Sequence, residues 1–183
     1  MISVNRRFYY GANIALMILL AISMTGCPTC QFGREIVIPS SDRTDPTITM
    51  AFLLPDGNTV SVTPGSTITR VAVPGGGTVL VSATAQDDEG VRDAQIWAAS
   101  ITWTTDPIAG ITTVSGPGLL GRPTASSRDS DGPGQVGCTS RVALQSLEVR
   151  KTSRGGVSYE VHASGVNFGG RTVSTPSVKL EAQ

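Results

Sequence analysis

The sequence has little of what enzymes and nucleic-acid-binding proteins commonly use. One histidine, His162, occurs among 183 residues, only 15% of the residues are charged, and the formal net charge is zero. No GxSxG elbow and no second histidine are present to build a catalytic triad, and no basic run is longer than two residues. We therefore predict no catalytic residues, no cofactor, no metal site and no nucleic-acid partner.

Acidic residues cluster in two turn-like segments, Asp87-Asp88-Glu89 and Asp129-Ser130-Asp131. Alternate aspartates before Gly132 form a fragment of a calcium loop, but no carboxylate follows downstream to close it, so a solvated turn is the preferred interpretation. His162 beside Glu160 leaves a small envelope hydrolase as an alternative. Glycosidase chemistry would need two acids facing each other across a cleft, which neighbours in a turn do not provide.

Short alternating runs are the clearest pattern that is present. Gly (21) and Pro (11) punctuate the chain, which favours strands and turns over helices. Apolar and polar residues alternate over 79–86 with Leu80 as the one exception, and residues 87–90 turn the chain into a second run that ends near Thr104. That run places Trp97 and Trp103 on one face. We interpret the two rings as packing residues or, alternatively, as a stacking pair for sugar rings.

Further runs predict strands and one hairpin. The runs cover residues 47–54, 60–62, 71–73, 142–151, 157–164 and 172–181. Alternation in the second strand of the hairpin points Val161 inward and His162 outward. The first strand changes parity between Leu144 and Leu147, which predicts a bulge near Gln145-Ser146.

Two motifs resemble bacterial immunoglobulin-like domains. Asp87-Asp88-Glu89-Gly90-Val91 is similar to their Asp-x-x-Gly-Val turn between two strands, and Tyr159-Glu160-Val161 followed by Asn167-Phe168-Gly169-Gly170 is similar to their penultimate strand and last turn. The resemblance implies an all-β, immunoglobulin-like antiparallel β-sandwich of about 7–9 strands over residues 46–183. It also implies that Tyr159 is the tyrosine of the corner and that Val161 stands where antibody domains keep a cysteine.

Residues 1–26 have the features of an export signal. Arg6 and Arg7 precede the apolar run 14–22, which is too short for a stable transmembrane span. Ser23-Met24-Thr25-Gly26-Cys27 resembles the lipobox of bacterial lipoproteins. The resemblance implies cleavage before Cys27, lipid on that cysteine and, because Pro28 follows, sorting to the outer membrane if the host is Gram-negative. The alternative is ordinary cleavage that leaves Cys27 as a thiol.

Two segments flank or interrupt the predicted sandwich. Residues 27–45 are predicted to be a tether whose apolar triplet Ile36-Val37-Ile38 can dock on the domain edge or add a strand. Residues 106–139 form one long loop rich in Gly, Ser and Pro that can hold one short strand at 111–114. Each segment contains a disulfide candidate, Cys30 in the first and Cys138 in the second. Export into an oxidising compartment favours pairing of these two cysteines. Free thiols and a Cys30–Cys30 bond between neighbouring chains remain as alternatives.

These features predict a lipid-anchored, non-catalytic module of the bacterial envelope. Its expected partners are the membrane, through the N-terminal lipid, and an envelope protein or polysaccharide. A carbohydrate-binding module that uses Trp97 and Trp103 is the first alternative. A hydrolase that uses His162 is the less favoured one.

Overall fold

The described part of the chain is built from β-strands. The computed structural model describes residues 30–106, 108, 112–115 and 123–183, so the export signal and Cys27 lie outside the described residues. Within these ranges no helix is long and apolar enough to cross a membrane. The strands are β1 (Glu35–Val37), β2 (Thr47–Leu53), β3 (Thr59–Val62), β4 (Arg70–Val73), β5 (Gly77–Gln86), β6 (Val91–Thr105), β7 (Thr112–Ser115), β8 (Ala125–Arg128), β9 (Val136–Cys138), β10 (Ser140–Thr152), β11 (Gly155–Asn167), β12 (Thr172–Ser174) and β13 (Val178–Ala182).

The strands form a sandwich of two layers that share one strand. The first layer has the order β3-β2-β5-β10 and is antiparallel throughout. The second layer has the order β4-β13-β11-β6, in which only β4 and β13 are parallel. The last residues of β10, Arg150 to Thr152, leave β5 and pair with the start of β11. The layers are therefore hydrogen-bonded to each other at that corner.

The core lies between the layers and consists of small and medium apolar side chains. The alternation in β5 correctly predicts its inward face. Fully buried residues of the facing strands include Val79, Val81, Ala83 and Ala85 of β5, Ala94 and Ile96 of β6, and Val161 and Ala163 of β11. A Cβ added to Gly165 of β11 would lie 2.9 Å from the Cβ of Ala85. The small residues thus let the two layers approach closely.

The bulge predicted near Gln145-Ser146 is absent. Strand β10 pairs with β5 without a register shift from Ser140 to Val149. Leu144 therefore points outward and is 57% exposed, whereas Ala143 and Leu147 are buried. Gln145 occupies the inward position between Ala143 and Leu147. Because glutamine is polar, the apolar residues of the sequence appeared to change from one face of the strand to the other.

Residues 30–45 dock on the domain through the triplet 36–38, which is the docked form of the tether that the sequence allowed. Strand β1 pairs with β9, and Ile38 just after β1 is 1% exposed. A disulfide joins Cys30 to Cys138, whose Cα atoms are 5.4 Å apart. Strand pairing, apolar burial and a covalent bond therefore all hold this segment against the sandwich.

The predicted long loop, residues 106–139, also contributes strands where it is described. Strands β7 and β8 pair with the two halves of β6, and β9 pairs with β1. The described residues therefore contain thirteen strands, more than the 7–9 expected. The additional strands have three or four residues each, which is too few to show a clear alternation.

Candidate functional site

Charge is divided between the two ends of β6, although the formal net charge of the chain is zero. Strand β6 begins at Val91, directly after the acidic turn 87–89, and ends at Thr105 beside the β10–β11 hairpin. Five basic residues surround the hairpin end, namely Arg70, Arg150, Lys151, Arg154 and Lys179. At about 3.3 Å per residue, the two ends of β6 are roughly 45 Å apart. The hairpin end is thus a basic surface that the net charge conceals.

A row of cross-strand neighbours fixes Trp103 in the middle of this surface. Lys151 pairs with Gly156, Gly156 with Trp103, and Trp103 with Val114. A Cβ added to Gly156 would overlap the six-membered ring of Trp103. The indole therefore covers the bare backbone of Gly156, and any larger residue there would displace the ring.

The first of two grooves beside Trp103 has a volume of about 330 Å³, and we call it the Lys151 groove. Its lining includes the apolar residues Ile101, Trp103 and Val114 and the basic residues Arg70, Lys151 and Lys179. Val114 is 62% exposed, so part of the apolar lining is in contact with solvent. The groove can therefore contact an apolar ring and an anionic group at the same time.

Glu181 compensates only part of the positive charge in the Lys151 groove. Its carboxylate is ion-paired with Arg70 and with Lys179, whose Nζ lies 2.7 Å from Oε2. The hydrogen bond from Lys179 and the charges of Lys179, Arg70 and Lys151 lower the pKa of Glu181. The carboxylate therefore stays ionised at neutral pH, and three cations face one anion.

The second groove, the Arg154 groove, has a volume of about 350 Å³. Its lining includes Arg150, Thr152, Arg154 and Val157 of the hairpin and Thr102 and Thr104 of β6. By the strand register, the side chains of Arg150, Thr152 and Thr102 lie on the face of the sheet opposite to Lys151 and the Trp103 ring. The ion pair between Arg150 and Glu148 is long, at 3.6 Å, and both side chains are more than 60% exposed. Such a pair contributes little to stability, although Glu148 still offsets the charge of Arg150. Trp103 thus contributes to the linings of two grooves that carry basic residues on opposite faces of the sheet.

Trp97 lies on the same outer face as Trp103 but in a different environment. Its ring stacks on His162 of β11, with centroids 5.8 Å apart and ring planes 5° apart. Its Nε1 donates a hydrogen bond to Ser164 Oγ, which in turn donates to Gln95 Oε1. Gln95 Nε2 donates to the buried carboxylate of Asp93. One face of Trp97 is therefore already covered, and its polar edge is already paired.

His162 has the surroundings of a packing residue. Burial lowers its pKa, so the imidazole is neutral at pH 7. Among the described residues, no hydroxyl or carboxylate is hydrogen-bonded to it, and its neighbour is the ring of Trp97. The hydrolase alternative stays a prediction, and no nucleophile beside His162 is identified among the described residues.

Buried carboxylates meet at the acidic end. Asp42 and Asp87 are 8% and 7% exposed, and the Thr44 hydroxyl lies within hydrogen-bonding distance of both. Burial raises the pKa of both aspartates, and the nearby Glu89 carboxylate raises that of Asp42 further. Asn167 Nδ2 donates to the carbonyl of Thr44 and attaches this segment to the end of β11. The cluster fastens the docked segment to the turn that precedes β6.

The aspartates considered as a calcium fragment have structural partners. Asp129 forms an ion pair with Arg141, and its Oδ1 accepts a hydrogen bond from the backbone N–H of Asp131. In the described ranges, no group of three or more His, Cys, Asp or Glu side chains is arranged to hold a metal ion. Asp129 is therefore part of a largely buried ion pair and does not lie in a solvated turn.

Of the predicted site residues, Trp103 lies beside both grooves, Trp97 lies apart from them, and Cys30 and Cys138 lie at the opposite end. Sequence reasoning missed the basic residues of the site. Arg70 and Lys179 become neighbours only through the parallel pairing of β4 with β13, which local patterns do not show. Lys151 and Gly156 could have been placed beside Trp103 only with the register of the hairpin known.

No protein-family model matches this chain, and the search of curated proteins finds no significant match. The resemblances to a lipobox and to immunoglobulin-like domains therefore depend on the residues quoted above. The geometry of the grooves is independent of both resemblances.

Proposed function

We propose that the chain is a lipid-anchored module of the bacterial cell envelope, with an immunoglobulin-like fold and a non-catalytic binding role. The strand order supports the fold. The first layer, β2-β5-β10, corresponds to strands A, B and E of an immunoglobulin domain, and β13-β11-β6 corresponds to G, F and C. Val161 takes the place of the antibody cysteine with a fully buried apolar side chain.

The binding role is based on one observation, the Lys151 groove, in which the Trp103 ring lies among the basic residues Arg70, Lys151 and Lys179. Aromatic and arginine side chains are enriched in the surfaces that proteins use for recognition. The grooves are at the hairpin end, whereas the disulfide of Cys30 is near the start of β6, roughly 45 Å away. A domain anchored through Cys27 would therefore present the grooves away from the membrane, toward an envelope protein or polysaccharide.

Metabolic labelling with a fatty-acid analogue tests the anchor. The wild-type protein should be labelled and should fractionate with the envelope, with outer-membrane sorting expected in a Gram-negative host because Pro28 follows Cys27. Cys27→Ala should abolish the label. Cys30→Ala, three positions further on, is the matched control and should keep it. If Cys27→Ala is still labelled, the proposal of a lipid anchor is wrong.

Carbohydrate binding is the second candidate function, and the position of Trp103 favours it. A flat indole beside an open groove is suited to pack against a sugar ring. Trp97 is less suited, because His162 covers one of its faces. Tryptophan fluorescence should therefore change on addition of a bound polysaccharide, and Trp103→Phe should remove most of the change. An unchanged spectrum across a polysaccharide panel would count against this candidate.

A further inference from the structure

We propose that the open edge of β10 pairs antiparallel with β10 of a second copy of this chain. Strand β10 is the last strand of the first layer. Its residues 140–149 pair with β5 on one side and, within the described ranges, with no strand on the other. The inference does not depend on the grooves beside Trp103. It adds an interaction surface whose partner is another molecule of the same protein.

Backbone groups of β10 point to the open edge at every second residue. The N–H of Asp87 donates to the carbonyl of Thr139, and this hydrogen-bonded pair sets the alternation along the ladder between β5 and β10. Ala143, Gln145 and Leu147 therefore bond to β5. Four residues direct their N–H and C=O groups to the open edge, namely Val142, Leu144, Ser146 and Glu148. Among the described residues, the one partner of these groups is Gln145 Nε2, which donates to the Ser146 carbonyl.

The open edge of β10 lacks the features that keep sheet edges from pairing. Protected edges are short, carry proline or lysine, or are interrupted by a bulge. The edge strands β3 and β4 have four residues each and are followed within two residues by Pro64 and Pro74. Residues 142–148 of β10 contain no proline and no lysine, and this strand pairs with β5 without a bulge. A long and straight edge of this kind favours the addition of another strand.

The sequence of the edge is suited to a second copy of itself. The four residues that face the edge are placed symmetrically about Gln145. A two-fold axis there pairs Leu144 with Ser146, and Val142 with Glu148, of the second copy. Leu144 is 57% exposed and would be covered by the neighbouring strand. Glu148 is the one charged residue of 142–148, and its two copies would be roughly 20 Å apart, so like charges do not oppose each other.

Antiparallel pairing places the anchored ends of the two copies at opposite ends of the dimer. Strand β10 begins two residues after Cys138, which is bonded to Cys30, and it ends at the hairpin beside the Lys151 groove. In the pair, each Cys30 therefore lies toward the hairpin of the other copy. If the domain stands upright on a lipid at Cys27, which is the proposed function, the two copies are anchored in two facing membranes.

Sedimentation of the full-length protein in density-matched detergent tests the pairing. We expect a reversible dimer with a dissociation constant on the order of 10 µM, because one strand pair buries less surface than a standard interface. Leu144→Pro removes an N–H that points to the open edge and keeps the bonds to β5, so it should weaken dimerisation about tenfold. Leu144→Lys should also weaken it, because the two lysines would be diagonal neighbours across the axis.

Ser61→Pro is the matched control. Ser61 lies on β3, at the opposite edge of the same layer. The N–H of Leu54 donates to the carbonyl of Asn58, and the alternation from that pair directs the Ser61 N–H away from β2. This variant should dimerise like the wild type. Circular dichroism shows whether each variant is folded, and Leu144→Lys decides the test if Leu144→Pro is not.

Two results of the sedimentation experiment would overturn the inference. One is a wild-type protein that is still monomeric at about 100 µM, which is ten times the expected dissociation constant. The other is a dimer that is weakened equally, or not at all, by the substitutions at Leu144 and Ser61. Two chains that only share a detergent micelle would give this second result.

A mixture of Leu144→Lys and Ser146→Glu tests the position of the two-fold axis. With the axis at Gln145, the lysine of one variant lies opposite the glutamate of the other. The mixed dimer should therefore be tighter than the Leu144→Lys dimer by up to about fivefold. A mixed dimer that is no tighter would overturn the pairing of Leu144 with Ser146.

Clustering of lipid vesicles separates failure of this inference from failure of the proposed function. Vesicles that carry the wild-type protein should cluster, and vesicles that carry Leu144→Pro should not. A dimer in solution without clustering would support the strand pairing and contradict the upright orientation on the membrane. Absence of the dimer would overturn the pairing and leave the labelling of Cys27 unchanged.

Discussion

Removal of the disulfide is the most informative perturbation of this fold. The variant Cys30→Ala/Cys138→Ala breaks the covalent link without leaving a free thiol. The two cysteines are 108 positions apart. For a loop of that length, the chain-entropy relation gives about 4.8 kcal/mol of stabilisation, because the bridge restricts the unfolded chain. That value is a large fraction of the 5–15 kcal/mol by which folded domains of this kind are stable.

Two effects change the stability loss expected from removal of the disulfide. Cys138 is 2% exposed, so alanine at this position also leaves a small cavity, which adds about 1 kcal/mol to the loss. Native-state strain and residual structure in the unfolded chain act in the opposite direction. We therefore expect the double variant to be less stable than the oxidised wild type by about 2–5 kcal/mol.

Guanidinium unfolding followed by tryptophan fluorescence measures the difference. Oxidised wild type, reduced wild type and the double variant should be compared, with reductant destabilising the wild type and leaving the variant unchanged. The m-value of the wild type should rise on reduction, since a longer free chain exposes more surface. Equal midpoints for the oxidised wild type and the double variant would refute the reasoning.

Intact mass must be measured first, because it distinguishes the possible thiol states. An internal bridge makes the monomer lighter by two hydrogens than after reduction. A doubled mass would indicate a Cys30–Cys30 bond between neighbouring chains, and no change on reduction would indicate free thiols. Either of the last two results would contradict the bridge between Cys30 and Cys138.

Two further predictions concern buried groups. Val161→Asp should unfold the domain, since it buries an unpaired carboxylate at a cost of several kcal/mol. His162→Asp, on the outer face, should lose only about 1 kcal/mol with the Trp97 stack, and equal melting of the two variants by circular dichroism would contradict the register. Burial raises the folded-state pKa of Asp42, so the wild type loses stability as pH rises from the ordinary carboxyl value of 3.8 through that raised pKa. The amide of Asp42→Asn can donate to Glu89 and carries no charge, so this variant should be more stable than the wild type at neutral pH. The difference in unfolding free energy should shrink in acid, and a constant difference would contradict the prediction.

The inward faces of the main strands could be predicted from sequence because a two-residue period is a local property. Residues 79–85 of β5 alternate except at Leu80, which is apolar and 37% exposed, and the burial of the strand follows the two-residue period. Strand β10 shows where this reasoning fails. Its inward position 145 is glutamine, so counting apolar residues shifted the predicted face by one residue and required a bulge that does not exist.

The candidate site was only partly predictable, for a physical reason. Trp103 could be noted because it is one of two tryptophans, but its importance depends on what lies across the strands. The pairing of Trp103 with Gly156, and of Arg70 with Lys179, brings together residues that are distant in sequence. Likewise, Trp97 is a packing residue because its ring stacks on His162, and no local sequence pattern predicts that stack.

The disulfide also determines how mechanical tension would travel through an anchored molecule. If a bound ligand pulls on the hairpin while the membrane holds Cys27, force enters the domain at Cys30 and crosses directly to Cys138. Strand β10 begins two residues later and leads to Arg150 and Lys151 beside the grooves. The load therefore follows one extended backbone from anchor to ligand, and most strand pairs of the sandwich would not have to resist it.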